Sequence, residues 1–138
     1  MESKLGGRLF WLRAVAILAI VFGALTIKSG GEVVFGDAAA SAAAGNFVPF
    51  VVWFNFLAGF VYVAAGAGLW LQRRWAAVLA VALAASTALV FAAFGVHAAS
   101  GGAYEMRTVW ALTLPLAVWS AIAFFGWRAL WTPRAPAS

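Results

Sequence analysis

Four apolar runs, Leu9–Ile27, Val48–Leu71, Trp75–His97 and Val109–Trp127, alternate with short polar breaks. Each is long enough to cross the hydrocarbon of a bilayer, which takes roughly 20 apolar residues at helical rise. Few soluble folds are open to such a chain. Of its 138 residues, 66% are hydrophobic and 9% charged, and one soluble core of that size leaves too much apolar surface in water. With lipid as the solvent the difficulty disappears. The expectation is an all-α, single-domain polytopic membrane protein, an up-down-up-down bundle of four transmembrane helices over about 9–27, 48–71, 75–97 and 109–128.

The net charge of +5 is distributed unevenly. Lys4, Arg8, Arg13, Arg73, Arg74, Arg128 and Arg134, with Glu2, fall on one side of the expected bundle. Lys28 and Arg107, with Glu32, Asp37 and Glu105, fall on the other. Short basic loops stay in the cytoplasm, so both termini are expected there. The basic balance then reports topology and contact with anionic headgroups, and no nucleic-acid partner is expected. The absence of cysteine excludes disulfides and thiol chemistry. Leu9–Ile27 is longer than a signal-peptide core, and Lys28, Glu32 and Asp37 separate it from the Ala-rich stretch that follows, so it reads as a retained helix.

The first helix is expected to end near Lys28-Ser29-Gly30-Gly31, with Arg13 snorkelling from within its first turns. Ala38–Ala44 reads as a short surface helix closed by Gly45-Asn46, and Pro49 suits the first turn of the next helix. Gln72-Arg73-Arg74 is short enough to force a hairpin. Pro115 is expected to kink the last helix, and the Pro-rich tail after Trp131 to be disordered. Trp11, Trp70, Trp75, Trp127 and Trp131 fall at one predicted interface and Trp53 and Trp110 at the other, the usual headgroup placement. Trp119 alone falls at mid-depth.

Asn55, Gly59, Tyr62 and Gly66 share one helical face, with Ala64 and Gly68 as a further small pair. That stripe reads either as close helix packing or as a polar pocket around Asn55 and Tyr62, open to the outer side. Ser86, Ala93 and His97 share a face of the third run, and Trp110, Thr113, Ala117 and Ser120 one of the fourth. Turned inward, they would make the outer half of the bundle lightly polar. No ionisable group lies at mid-depth, which counts against a proton relay. His97, the one histidine, is a candidate ligand for haem or a metal, with Met106 as a second donor. Its other reading is an interfacial hydrogen-bonding residue. Glu32, Asp37, Glu105 and Arg107 form an outer polar cluster, either a ligand or cation site or solvated pairs tying two loops together. No hydrolase triad and no phosphate loop appear.

The hairpin, Asn55-Phe56-Leu57-Ala58-Gly59, then Gly66-Ala67-Gly68-Leu69, then Gln72-Arg73-Arg74-Trp75-Ala76-Ala77, resembles the DoxX-like four-helix membrane proteins of bacteria. Arg13, Gly23 and Lys28 also sit roughly where that family has Arg, Gly and Lys. The resemblance spans about half of the chain, and Asn55 stands where the family often has an acidic residue. It implies a small protein of the bacterial inner membrane, a setting in which some members attach to quinone-linked redox enzymes. It supplies no catalytic residue.

Three functions are compatible with these residues. First is a non-enzymatic accessory or structural subunit binding a lipid or a quinone in the outer half, with Asn55, Tyr62, His97, Glu105 and Arg107 as candidate contacts. The alternatives are a redox-linked subunit holding haem or metal at His97, and a small oligomeric transporter or channel. Unsatisfied small-residue faces suggest a homo-oligomer or a membrane protein partner.

Overall fold

The computed structural model describes residues 2–131, all of the regular structure in them helical. Five helices follow in order: α1 (Glu2–Phe35), α2 (Ala38–Ala44), α3 (Pro49–Trp70), α4 (Arg74–Ala99) and α5 (Met106–Trp131). All but α2 are long and apolar enough to cross a membrane. They contain or nearly match the four apolar runs, and the fold is that of a multi-pass helical membrane protein. The tail after Trp131 lies outside the described residues.

The first helix departs most from expectation. At 34 residues it is ~51 Å long at helical rise, against a hydrocarbon core of ~30 Å. It does not stop at Gly30-Gly31 but runs on to Phe35. Those glycines serve as a contact surface: a Cβ on Gly30 would stand 3.0 Å from the Phe56 Cβ. Lys28 and Glu32, one turn apart, pair at 3.1 Å across the expected break, and Phe35 packs edge-on against Trp53 and Phe56.

α1 and α3 form the tightest pair in the bundle, while α4 packs chiefly on α5 and more lightly on α3. Ala16 and Ile20 face Gly66, Gly23 and Ile27 face Gly59, and Gly30 faces Phe56. Numbers fall along α3 as they rise along α1. A Cβ on Gly59 would stand 3.1 Å from the Gly23 carbonyl and 2.7 Å from the Ile27 side chain, so nothing larger than hydrogen fits there without moving a helix. The small stripe of α3 is thus consumed inside the chain, which answers its packing reading. The backbones of α1 and α4 stay apart, and that of α1 comes near α5 at few points.

The α3–α4 hairpin turns through Gln72, whose φ of 54° is left-handed. Arg73 N–H donates to Gly68 O at 2.8 Å and Gln72 N–H to Leu69 O at 3.0 Å, the pair of bonds that closes a helix C-terminus. α2 is capped by Asp37, whose Oδ1 accepts from Ala40 N–H at 2.9 Å, and it ends at Gly45 with φ 67°, as expected. Pro115 lies inside α5, which continues across it.

One core, with Ala16, Tyr62, Leu69, Ala80, Trp119 and Ile122, fills the middle and the basic end of the bundle. A smaller one of Val48, Val51, Phe94 and Leu112 lies toward the end that carries α2. At the basic end Arg13 sits over Trp70 at 5.1 Å, Arg74 over Trp131 at 5.6 Å, and Trp127 stacks on Trp131 at 4.3 Å. Trp53 and Trp110 are exposed near the α2 end. Trp119 is fully buried.

Candidate functional site

Because α1 and α5 scarcely meet, a cavity of about 450 Å³ opens between them toward the α2 end, with α3 as its back wall. That volume lies within the ~300–1,000 Å³ common for small-molecule sites. Phe22 and Val51 contribute to its apolar interior, and Asn55 and Pro115 also line it. Leu25 on α1 and Trp110 and Leu114 on α5 line the cavity too, and are 59%, 58% and 50% exposed. Half-exposed apolar walls on both sides put the mouth on the lipid-facing flank of the bundle.

Asn55 sits about 9 Å along α3 from its first residue, and its geometry follows from Pro115. A proline has no N–H and withdraws the hydrogen bond that the carbonyl four residues earlier would accept. Here that carbonyl belongs to Ala111. Asn55 Nδ2–H donates to Ala111 O at 3.4 Å, so α3 supplies what α5 lacks. A carbonyl partner also fixes which amide atom is nitrogen. Asn55 Oδ1 is left buried, with no hydrogen-bond partner.

The polar end of the cavity carries Lys28, Glu32, Glu105 and Arg107, two cations and two anions. Lys28 pairs with Glu32. Glu105 accepts from Asn46 N–H at 3.0 Å and from Asn46 Nδ2 at 3.3 Å, and Arg107 donates to Ala43 O at 3.2 Å. These bonds fasten the α2 segment onto the start of α5, so the two connecting segments at this end do pack together. Gly45 is part of the fastening: a Cβ there would stand 2.7 Å from Glu105 Oε1.

Asn55, Glu105 and Arg107 therefore share one cavity. Tyr62 does not reach it. The expectation of a pocket around both Asn55 and Tyr62 fails because Tyr62 is fully buried, stacked on Phe22 at 5.6 Å and tilted against Trp119 at 5.0 Å. Neither its Oη nor Trp119 Nε1 makes a hydrogen bond of good geometry; Thr87, whose hydroxyl lies beside the Tyr62 Oη, is wholly buried and donates to Leu83 O at 2.7 Å. His97 also stands apart from the cavity. Its Nε2 meets Ala103 O at 3.1 Å and its ring packs edge-on against Phe50, the interfacial hydrogen-bonding role. Met106 is 62% exposed. Among the described residues, no group of three or more His, Cys, Asp or Glu could hold a metal ion. Of the faces expected to turn inward on the last two runs, Ser86, His97 and Thr113 are half-buried, while Ala93, Trp110, Ala117 and Ser120 are exposed. Thr87 and Phe94 on α4, and Leu112, Pro115 and Trp119 on α5, point inward instead. Sequence reasoning missed Pro115 as a site residue; the signal was there, since a mid-helix proline in a membrane frees a carbonyl that a neighbouring helix must satisfy.

Fold and site together define a multi-pass helical membrane protein with a lipid-facing cavity. Compared with family models, with curated proteins and with solved structures, the chain matches none.

Proposed function

We propose that this protein is a non-enzymatic membrane subunit that takes a lipid or a quinone into the cavity between α1, α3 and α5. The observation that carries the reading is a mouth walled by half-exposed Leu25, Trp110 and Leu114 in front of a polar back wall at Asn55. An apolar molecule dissolved in the bilayer can enter there without crossing water. The proposal places the chain up-down-up-down in a bacterial inner membrane, with both termini and the Arg73-Arg74 turn in the cytoplasm and α2 outside. The excess of Lys and Arg at the termini end supports this, and the likeness of residues 55–77 to DoxX-like proteins points to the same membrane. A role as an accessory to a larger complex belongs to the same proposal.

Native mass spectrometry of protein extracted in mild detergent tests it. The expected result is a retained lipid or quinone mass that disappears in Ala111→Phe, where a ring fills the cavity, while the variant still melts cooperatively. A protein that comes out bare, and stays bare when lipid extract is added back, overturns the reading.

A further inference from the structure

Among the described residues, three buried side-chain polar atoms lack a hydrogen-bond partner, on Asn55, Tyr62 and Trp119. Only Asn55 belongs to the cavity wall. Its spare atom is an acceptor, because Nδ2 is committed to the Ala111 carbonyl. An unpaired acceptor away from water is a standing penalty of about 1–3 kcal/mol, relieved only by a donor. Of the hydroxyls that line the cavity, Thr26 Oγ1–H donates to Phe22 O at 2.8 Å and Ser29 Oγ–H to Thr26 O at 3.4 Å, while Thr108 stands nearly a turn further out along α5 than Ala111. Further out, the two cations and two anions at the cavity's polar end balance, and Lys28 and Glu32 pair with each other. No net charge there calls for an ionic head.

From this we infer that the cavity selects a neutral amphiphile whose head carries a hydroxyl donor, delivered to Asn55 Oδ1, over one whose head only accepts. The inference rests on the cavity being a ligand site. The oxygen is buried, but the Asn55–Ala111 bond is long at 3.4 Å. The terminal torsion of asparagine is broad, and a turn about it brings Oδ1 toward the ligand. A glycerolipid with a free hydroxyl and a reduced quinone share the required chemistry. An oxidised quinone, with carbonyls alone, lacks it.

The test compares two probes that differ in one donor: hexadecan-1-ol and its methyl ether, titrated onto the delipidated protein in mild detergent. The wild type is expected to hold the alcohol about tenfold more tightly, which is ~1.4 kcal/mol. In Asn55→Leu the ratio is expected to fall to within about twofold. The wild-type ratio stands alone should Asn55→Leu fail to fold. Equal binding of both probes by the wild type overturns the donor inference and leaves the ligand cavity standing. Binding of neither overturns both. With the alcohol preferred, a diacylglycerol and a quinol run against the same protein identify which membrane component brings the hydroxyl.

Discussion

Pro115, Ala111 and Asn55 show how one residue reaches into a neighbouring helix. Replacing Pro115 with alanine restores the N–H that Ala111 O lacks, which releases the Asn55 amide. The expected outcome is a more stable α5, seen as a higher melting temperature in detergent, together with loss of discrimination between the alcohol and its ether. A lower melting temperature with discrimination intact would mean that the proline and the amide are unconnected. Tyr62 makes the opposite case. Its buried hydroxyl makes no hydrogen bond of good geometry, with Thr87 the hydroxyl beside it, while its ring is held between Phe22 and Trp119. Tyr62→Phe keeps the ring and removes the unpaired group, so stability is expected to hold or to rise by about 1 kcal/mol, with ligand binding unchanged. A drop of several degrees in melting temperature would show that the hydroxyl is bonded after all.

At the scale of the element, two contacts decide how helices sit. α1 approaches α3 to the distance allowed by Gly23 and Gly59. A leucine at Gly59 must push the pair apart, and overpacking of this kind costs about 1–3 kcal/mol. The expected loss is measurable by thermal melts in detergent, and a wild-type melt would contradict the observed approach. α2 depends on different chemistry. Its seven residues are too few to be stable alone, and it is held by the Asp37 cap and by the bonds from Glu105 and Arg107. Gly45→Ala puts an L-residue at φ 67° and a Cβ against Glu105. We expect faster amide exchange confined to 38–46, with the long helices unaffected.

For the whole molecule, the uneven pairing of helices is the feature with consequences. α1 on α3 and α4 on α5 are close pairs, and the weak side between α1 and α5 is where the cavity opens. Orientation is testable because the chain has no cysteine, so single substitutions give clean labels. Gln72→Cys and Ser100→Cys lie at exposed turns at opposite ends of α4. An impermeant thiol reagent added to intact cells is expected to label the second and spare the first. The reverse pattern would invert the topology.

Much of this protein is legible in its sequence, for a physical reason: a bilayer imposes a length and a polarity that can be read one residue at a time. That is why the four long helices, the α2 segment closed by Gly45, and the tryptophans and arginines of the basic end all lie near where composition puts them. Asn55 stands out as an amide inside an apolar run, and Glu105 and Arg107 as charges of a short connecting segment; that they line one cavity is a matter of packing. What only the tertiary structure decided is which faces meet. In lipid, both sides of a helix are apolar, so periodicity does not separate the buried side from the lipid side. Gly30-Gly31 then read as a stop rather than a contact for Phe56, and Tyr62 as a pocket residue rather than a core one. The same ambiguity hides that Ala117 and Ser120 face out in the fold. The pairing of Asn55 with a carbonyl freed by a proline 60 positions later is a relation between helices, and it exists only once the fold brings Asn55 of α3 up to Ala111 of α5.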